Sequence, residues 1–117
     1  MGVSAITAEA PRLTFTLDDL AKTIALRAGA SSEKSYTRSL LEKGPRGAAK
    51  KFGEEAVEFV IAAVGQSDDA LRAEAADVLY HLLVVLEARG VALGDVVSEL
   101  ERRTTRSGHE EKASRAS

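Results

Sequence analysis

From Ala75 to Leu86 the chain is alanine, valine and leucine, broken only by Asp77, His81 and the hydroxyl of Tyr80. A segment this apolar over more than three turns is a helix buried on most sides. A carboxylate inside it must be paired, hydrogen-bonded or metal-bound, because an ionised group left alone there is very costly. Asp77 is also poorly suited to a helix interior by propensity. Three residues earlier stands Glu74, and an upstream apolar segment repeats the pairing as Glu55 and Glu58. Two such pairs, E-x-x-E and E-x-x-D, point to one shared cation.

No segment alternates with period two and no internal repeat is visible, so the expected fold class is all-α. Thr16 caps a first helix with Asp19 in the capping-box position, and Leu17, Leu20, Ala21 and Ile24 follow helical spacing up to Gly29. A short helix runs over residues 35–43, capped by Ser35 and stopped by Gly44-Pro45. A long helix follows from about Gly47 to Val64. Its interior Gly53 is unfavourable by roughly 1 kcal/mol against alanine, a cost that close packing or access would explain. After a turn at 65–69, a second long helix extends from about Asp69 to Ala88, closed by Arg89-Gly90. Leu93, Val96, Val97 and Leu100 mark a last amphipathic helix ending near Arg103. The domain spans 15–103, with 1–14 and 104–117 as flexible tails. A bundle of about four to five helices has few central positions for helices apolar nearly all round. The expected bundle is therefore completed by homodimerisation.

At about 100° per residue, Glu55 and Glu58 fall about 60° apart, with Lys51 between them one turn earlier. Glu74 and Asp77 repeat that separation, with His81 between them one turn on. Taken singly, these residues have ordinary readings. Glu54, Glu55 and Glu58 could be a solvated stripe, Glu74 an acid suited to a helix start, and His81 a hydrogen-bonded core histidine. Taken together they favour a site.

Four carboxylates and few other ligands suit a hard divalent cation, Mg²⁺ or alternatively Mn²⁺, and Mg²⁺ commonly binds substrate phosphates as well. The implied chemistry is metal-dependent phosphoanhydride hydrolysis without a covalent intermediate. Lys51 would either touch a phosphate or balance the acids. The Glu-x-x-His motif of di-iron bundles fails, because position 78 is Val and position 106 is Arg. Gly44-Pro45-Arg46-Gly47 is not followed by the Lys-Ser/Thr of a P-loop. The chain lacks cysteine, which removes thiolate chemistry, and its net charge of −2 argues against nucleic acid as a partner. With no secretory signal and no run of roughly 18 apolar residues, no membrane association is expected and the compartment is cytoplasmic.

At these residues the chain resembles the phosphoribosyl-ATP pyrophosphohydrolases of histidine biosynthesis, within the all-α, MazG-type nucleoside triphosphate pyrophosphohydrolases. The superfamily pattern reads here as Glu55-Ala-Val-Glu58 and Glu74-Ala-Ala-Asp77, with fifteen residues between Glu58 and Glu74. The narrower match includes Ser35-Tyr36-Thr37, Leu40-Leu41, Gly44, the block from Lys51 to Glu58 and the run from Glu74 to Val84. Phe52 and Val78 depart from the commoner residues without touching the acids. The resemblance covers about 35–103 and implies a MazG-like bundle. It also implies hydrolysis of the α–β anhydride of phosphoribosyl-ATP to phosphoribosyl-AMP and pyrophosphate, with Mg²⁺ held by Glu55, Glu58, Glu74 and Asp77. Glu54, Glu55 and Glu58 become the catalytic candidates, with Glu54 orienting water. Tyr36, Arg38, Lys51 and His81 become substrate-binding candidates. A cyclohydrolase, often fused in this family, is expected on a separate chain. A MazG-type hydrolase of free nucleoside triphosphates and a non-enzymatic helical dimerisation module are the alternatives.

Overall fold

The computed structural model describes residues 14–31 and 35–105, and among them there are five helices and no strand. They are α1 (Leu17–Arg27), α2 (Tyr36–Glu42), α3 (Gly44–Gly65), α4 (Asp68–Arg89) and α5 (Leu93–Thr104). The all-α expectation holds. The tails lie outside the described residues, apart from Thr14, Thr104 and Thr105, and Thr104 is the last residue of α5.

Local chemistry sets the helix ends. The capping box of α1 is complete: the Asp19 N–H donates to Thr16 Oγ1 at 3.1 Å, and the Thr16 N–H donates to Asp19 Oδ2 at 3.0 Å. Ser35 caps α2 and Ser67 caps α4 through N–H donors three residues on, each at 3.1 Å. Gly90 ends α4 in the left-handed region at φ 71°, and the Val91 N–H returns to the Leu86 carbonyl at 2.9 Å.

The junction between α2 and α3 differs from expectation. The third helix begins at Gly44, not near Gly47, and Pro45 stands in its first turn. Proline lacks an N–H that the first turn would leave unpaired anyway, so it opens this helix instead of breaking it. Gly44 turns the chain at φ 76°. A Cβ on Gly47 would lie 2.4 Å from Lys43 Cβ, so that glycine lets the turn close tightly.

Packing centres on the antiparallel pair α3 and α4, joined only by Gln66 and Ser67. The buried core comprises Ile24, Leu40, Ala48, Leu83 and Val84, where α1, α2 and the start of α3 meet the second half of α4. Towards the hairpin tip this cover ends. Val57, Val60, Ile61 and Val64 line one exposed face of α3, with Val64 83% accessible. A Cβ on Gly53 would meet nothing within 4 Å, so packing within the chain does not explain that glycine. Among the described residues, no helix is long and apolar enough to cross a membrane.

Candidate functional site

The short connection puts the acidic pairs in register. Glu58 lies seven residues before Gly65, the end of α3, and Glu74 six after Asp68, the start of α4. At 1.5 Å per residue both sit about 10 Å from the hairpin end. Glu55 and Asp77 form the next level. Glu55, Glu58 and Glu74 each bring an oxygen within 4.8 Å of the others. Asp77 is exposed and outside this group of three. Its charge still acts on Glu74.

Glu55 is buried and Glu74 partly so, and Glu74 Oε1 is a buried oxygen without a hydrogen-bond partner. Burial first, then the charges of Glu58, Asp77 and Glu55, raises the Glu74 carboxyl above the usual carboxylate range. A buried carboxylate oxygen left unpaired beside other carboxylates is an acceptor without a donor, and a hard cation is the ligand that all-oxygen sets suit.

Lys51 is the cation at the edge of this group. Its ammonium lies 3.2 Å from Glu55 and 3.8 Å from Glu54. The hydrogen bond to Glu55 first, then the Tyr36 oxygen and the Glu55 charge, holds Lys51 above the ordinary lysine range. Lys51 thus neutralises part of Glu55 and leaves Glu58 and Glu74 facing each other. Glu54 is exposed.

Beyond Lys51 stands a cluster that spacing alone does not reveal. His81, only 5% accessible, has Nδ1 2.8 Å from the Asp77 carbonyl oxygen and Nε2 3.4 Å from the Tyr36 hydroxyl. A carbonyl oxygen only accepts, so Nδ1 carries the proton. In the neutral imidazole Nε2 is then the acceptor, and Tyr36 donates to it. Tyr80, next to His81, hydrogen-bonds Thr37. The structure therefore brings Tyr36, Lys51 and His81 to the margin of the carboxylates. Arg38 is engaged elsewhere: its guanidinium donates to the Ala28 carbonyl and, at 3.2 Å, to Glu42. Thr37 and Tyr80 had no assigned role, since a pairing between residues 43 positions apart leaves no local signature.

Comparison with known proteins places these residues in context. The family described as phosphoribosyl-ATP pyrophosphohydrolase matches residues 17–104. A phosphoribosyl-ATP pyrophosphatase 1 of Rhodopseudomonas palustris is 58% identical over 101 residues, covering 86% of this chain and 94% of that protein. Its counterpart in Bradyrhizobium diazoefficiens is 60% identical over 101 residues, covering 86% and 95%. A phosphoribosyl-ATP pyrophosphatase of Methylobacterium nodulans is 59% identical over 102 residues, covering 87% and 95%.

Proposed function

The chain belongs to the phosphoribosyl-ATP pyrophosphohydrolase family, and from that membership we propose that it hydrolyses phosphoribosyl-ATP to phosphoribosyl-AMP and pyrophosphate in histidine biosynthesis. The observation that carries this reading is the convergence of Glu55, Glu58 and Glu74 from two helices around a buried, unpartnered oxygen. Together with Asp77 they would hold Mg²⁺, with Mn²⁺ as the alternative. The ion would supply charge neutralisation at the phosphates and polarisation of bound water.

The chain's own residues do the remaining work. Glu54 accepts a hydrogen bond from the attacking water and orients it. The water oxygen bonds to phosphorus as the anhydride bond breaks, the water's proton passes to the Glu54 carboxylate and on to solvent, and the pyrophosphate leaves with the electron pair. Lys51, already tied to Glu55, offers its remaining N–H donors to a phosphate oxygen at the rim. Tyr36 and His81 form the wall that faces the nucleoside.

The exposed face at Val57, Val60, Ile61 and Val64 supports a homodimer. Their spacing is that of an apolar helix seam, and burying it removes a contiguous patch from water.

One assay tests the reaction. The protein is incubated with Mg²⁺ and either phosphoribosyl-ATP or a panel of nucleoside triphosphates, and pyrophosphate release is measured. Release from phosphoribosyl-ATP is expected. Release from the panel alone would instead indicate a hydrolase of free nucleotides, and no release from any substrate a non-enzymatic module.

A further inference from the structure

Three consecutive hydroxyl residues open α2, and each has a different partner. Ser35 caps the helix, Tyr36 reaches His81, and Thr37 Oγ1 meets the Tyr80 hydroxyl at 2.5 Å. The Thr37–Tyr80 pair takes no part in the carboxylate group. Thr37 is only 1% accessible. Apolar side chains of similar shape would fill that space with no polar atom to satisfy. What the hydroxyl pair adds is a fixed position of α2 on α4. The Tyr80 ring lies 15° from parallel to the Tyr36 ring, with centroids 6.2 Å apart. It stands at 90° to the His81 ring at 4.9 Å. One side chain therefore holds α2 by its hydroxyl and borders both rings of the Tyr36–His81 contact.

We propose that Tyr80 is a positioning residue for substrate recognition: through Thr37 and the Tyr36 ring it holds the exposed Tyr36 hydroxyl against His81 at the rim of the site. This rests on the reading that phosphoribosyl-ATP binds there. Tyr80 does not touch substrate, and acts through Tyr36, which does. With Nδ1 of His81 donating to the Asp77 carbonyl, the Tyr36 hydroxyl donates to Nε2 at 3.4 Å and its oxygen keeps lone pairs for a donor. Its counterpart on the substrate is a hydrogen-bond donor, a sugar hydroxyl or base amino group, and not a phosphate oxygen.

Steady-state kinetics with phosphoribosyl-ATP and thermal unfolding of the same variants test this. Tyr80→Phe keeps the ring and removes the hydroxyl; it should raise KM roughly three- to tenfold, the value of one hydrogen bond, with kcat nearly unchanged. Tyr36→Phe should do the same, and the two together should add nothing further. Thr37→Val should match Tyr80→Phe, while Thr37→Ser, which keeps the hydroxyl, should stay near wild type. Combining Thr37→Val with Tyr80→Phe removes both polar atoms, so the unfolding temperature should recover while KM stays raised. An unmoved KM in Tyr80→Phe, additivity with Tyr36→Phe, or a KM that recovers along with the unfolding temperature would overturn the inference. Should Tyr80→Phe fail to fold, the contrast between Thr37→Val and Thr37→Ser decides it, equal KM values overturning the inference. No pyrophosphate release by the wild-type protein would overturn the functional reading itself, and the inference with it.

Discussion

Glu74 separates a carboxylate site from a solvated acidic stripe. Its Oε1 is buried and unpartnered, and its carboxyl is raised by burial and by three neighbouring acids. A cation bound there stabilises the folded state by mass action. Added Mg²⁺ should therefore raise the unfolding temperature of the wild-type protein and have little effect on Glu74→Gln; an equal rise in both would remove Glu74 from the site. Glu58→Gln and Asp77→Asn should each lower pyrophosphate release by roughly 100-fold while circular dichroism shows the helices intact, since losing a metal ligand forfeits several kcal/mol of transition-state stabilisation. Full activity in Asp77→Asn would leave the three clustered glutamates as the metal set. The pairing of these acids was legible in the sequence because the three-residue spacing fixes a helix face. That Asp77 stands apart from the three was not, because side-chain reach depends on how α3 and α4 pack.

At the scale of the helices, sequence signals located most ends because capping is a local interaction. Thr16 with Asp19, Ser35 and Gly90 all stand where their chemistry placed them, whereas Ser67, read as part of the turn, caps α4, which starts one residue ahead of expectation. Gly44-Pro45 misled because the same dipeptide stops one helix and starts the next. Gly53 is an exposed helix-interior glycine with open space around it. Gly53→Ala should raise the stability of the folded chain by about 0.5–1 kcal/mol in urea unfolding. A loss of stability would show that this position meets another surface. In α5, hydrogen bonds from Arg102 and then Arg103 pull Glu99 down to about 2 from the ordinary 4.5. A carboxyl depressed on folding contributes stability above its unfolded value, and that contribution is lost as pH falls through the folded one. The wild type should therefore exceed Glu99→Gln in unfolding temperature near neutrality, with the gap closing between about pH 4.5 and pH 2. The exposure of these groups keeps the gap small. A gap that stays constant over that range would show that the ion pairs carry no pH-dependent stability.

For the molecule as a whole, the small core and the bare α3 face belong together. Five buried apolar residues gather at one end of the α3–α4 pair, and the valine face lies towards the other. Val60→Glu combined with Val64→Glu should give a monomer in sedimentation, whereas an unchanged sedimentation coefficient would place any interface elsewhere. The expectation of a partner came from helices apolar nearly all round in the sequence, and the exposed α3 face is what supports proposing one. The Thr37–Tyr80 contact was not legible there, because nothing local ties two positions that the fold brings together. The two-residue link at Gln66 and Ser67 also has a consequence in time. Glu58 and Glu74 meet as soon as that hairpin closes, before distant parts of the chain need to find each other. Local closure is fast, so like charges are brought together early. In stopped-flow refolding at constant ionic strength, Mg²⁺ should speed the wild-type chain and leave the rate of Glu74→Gln nearly unchanged. The ion would then be a participant in folding before it has any role in turnover.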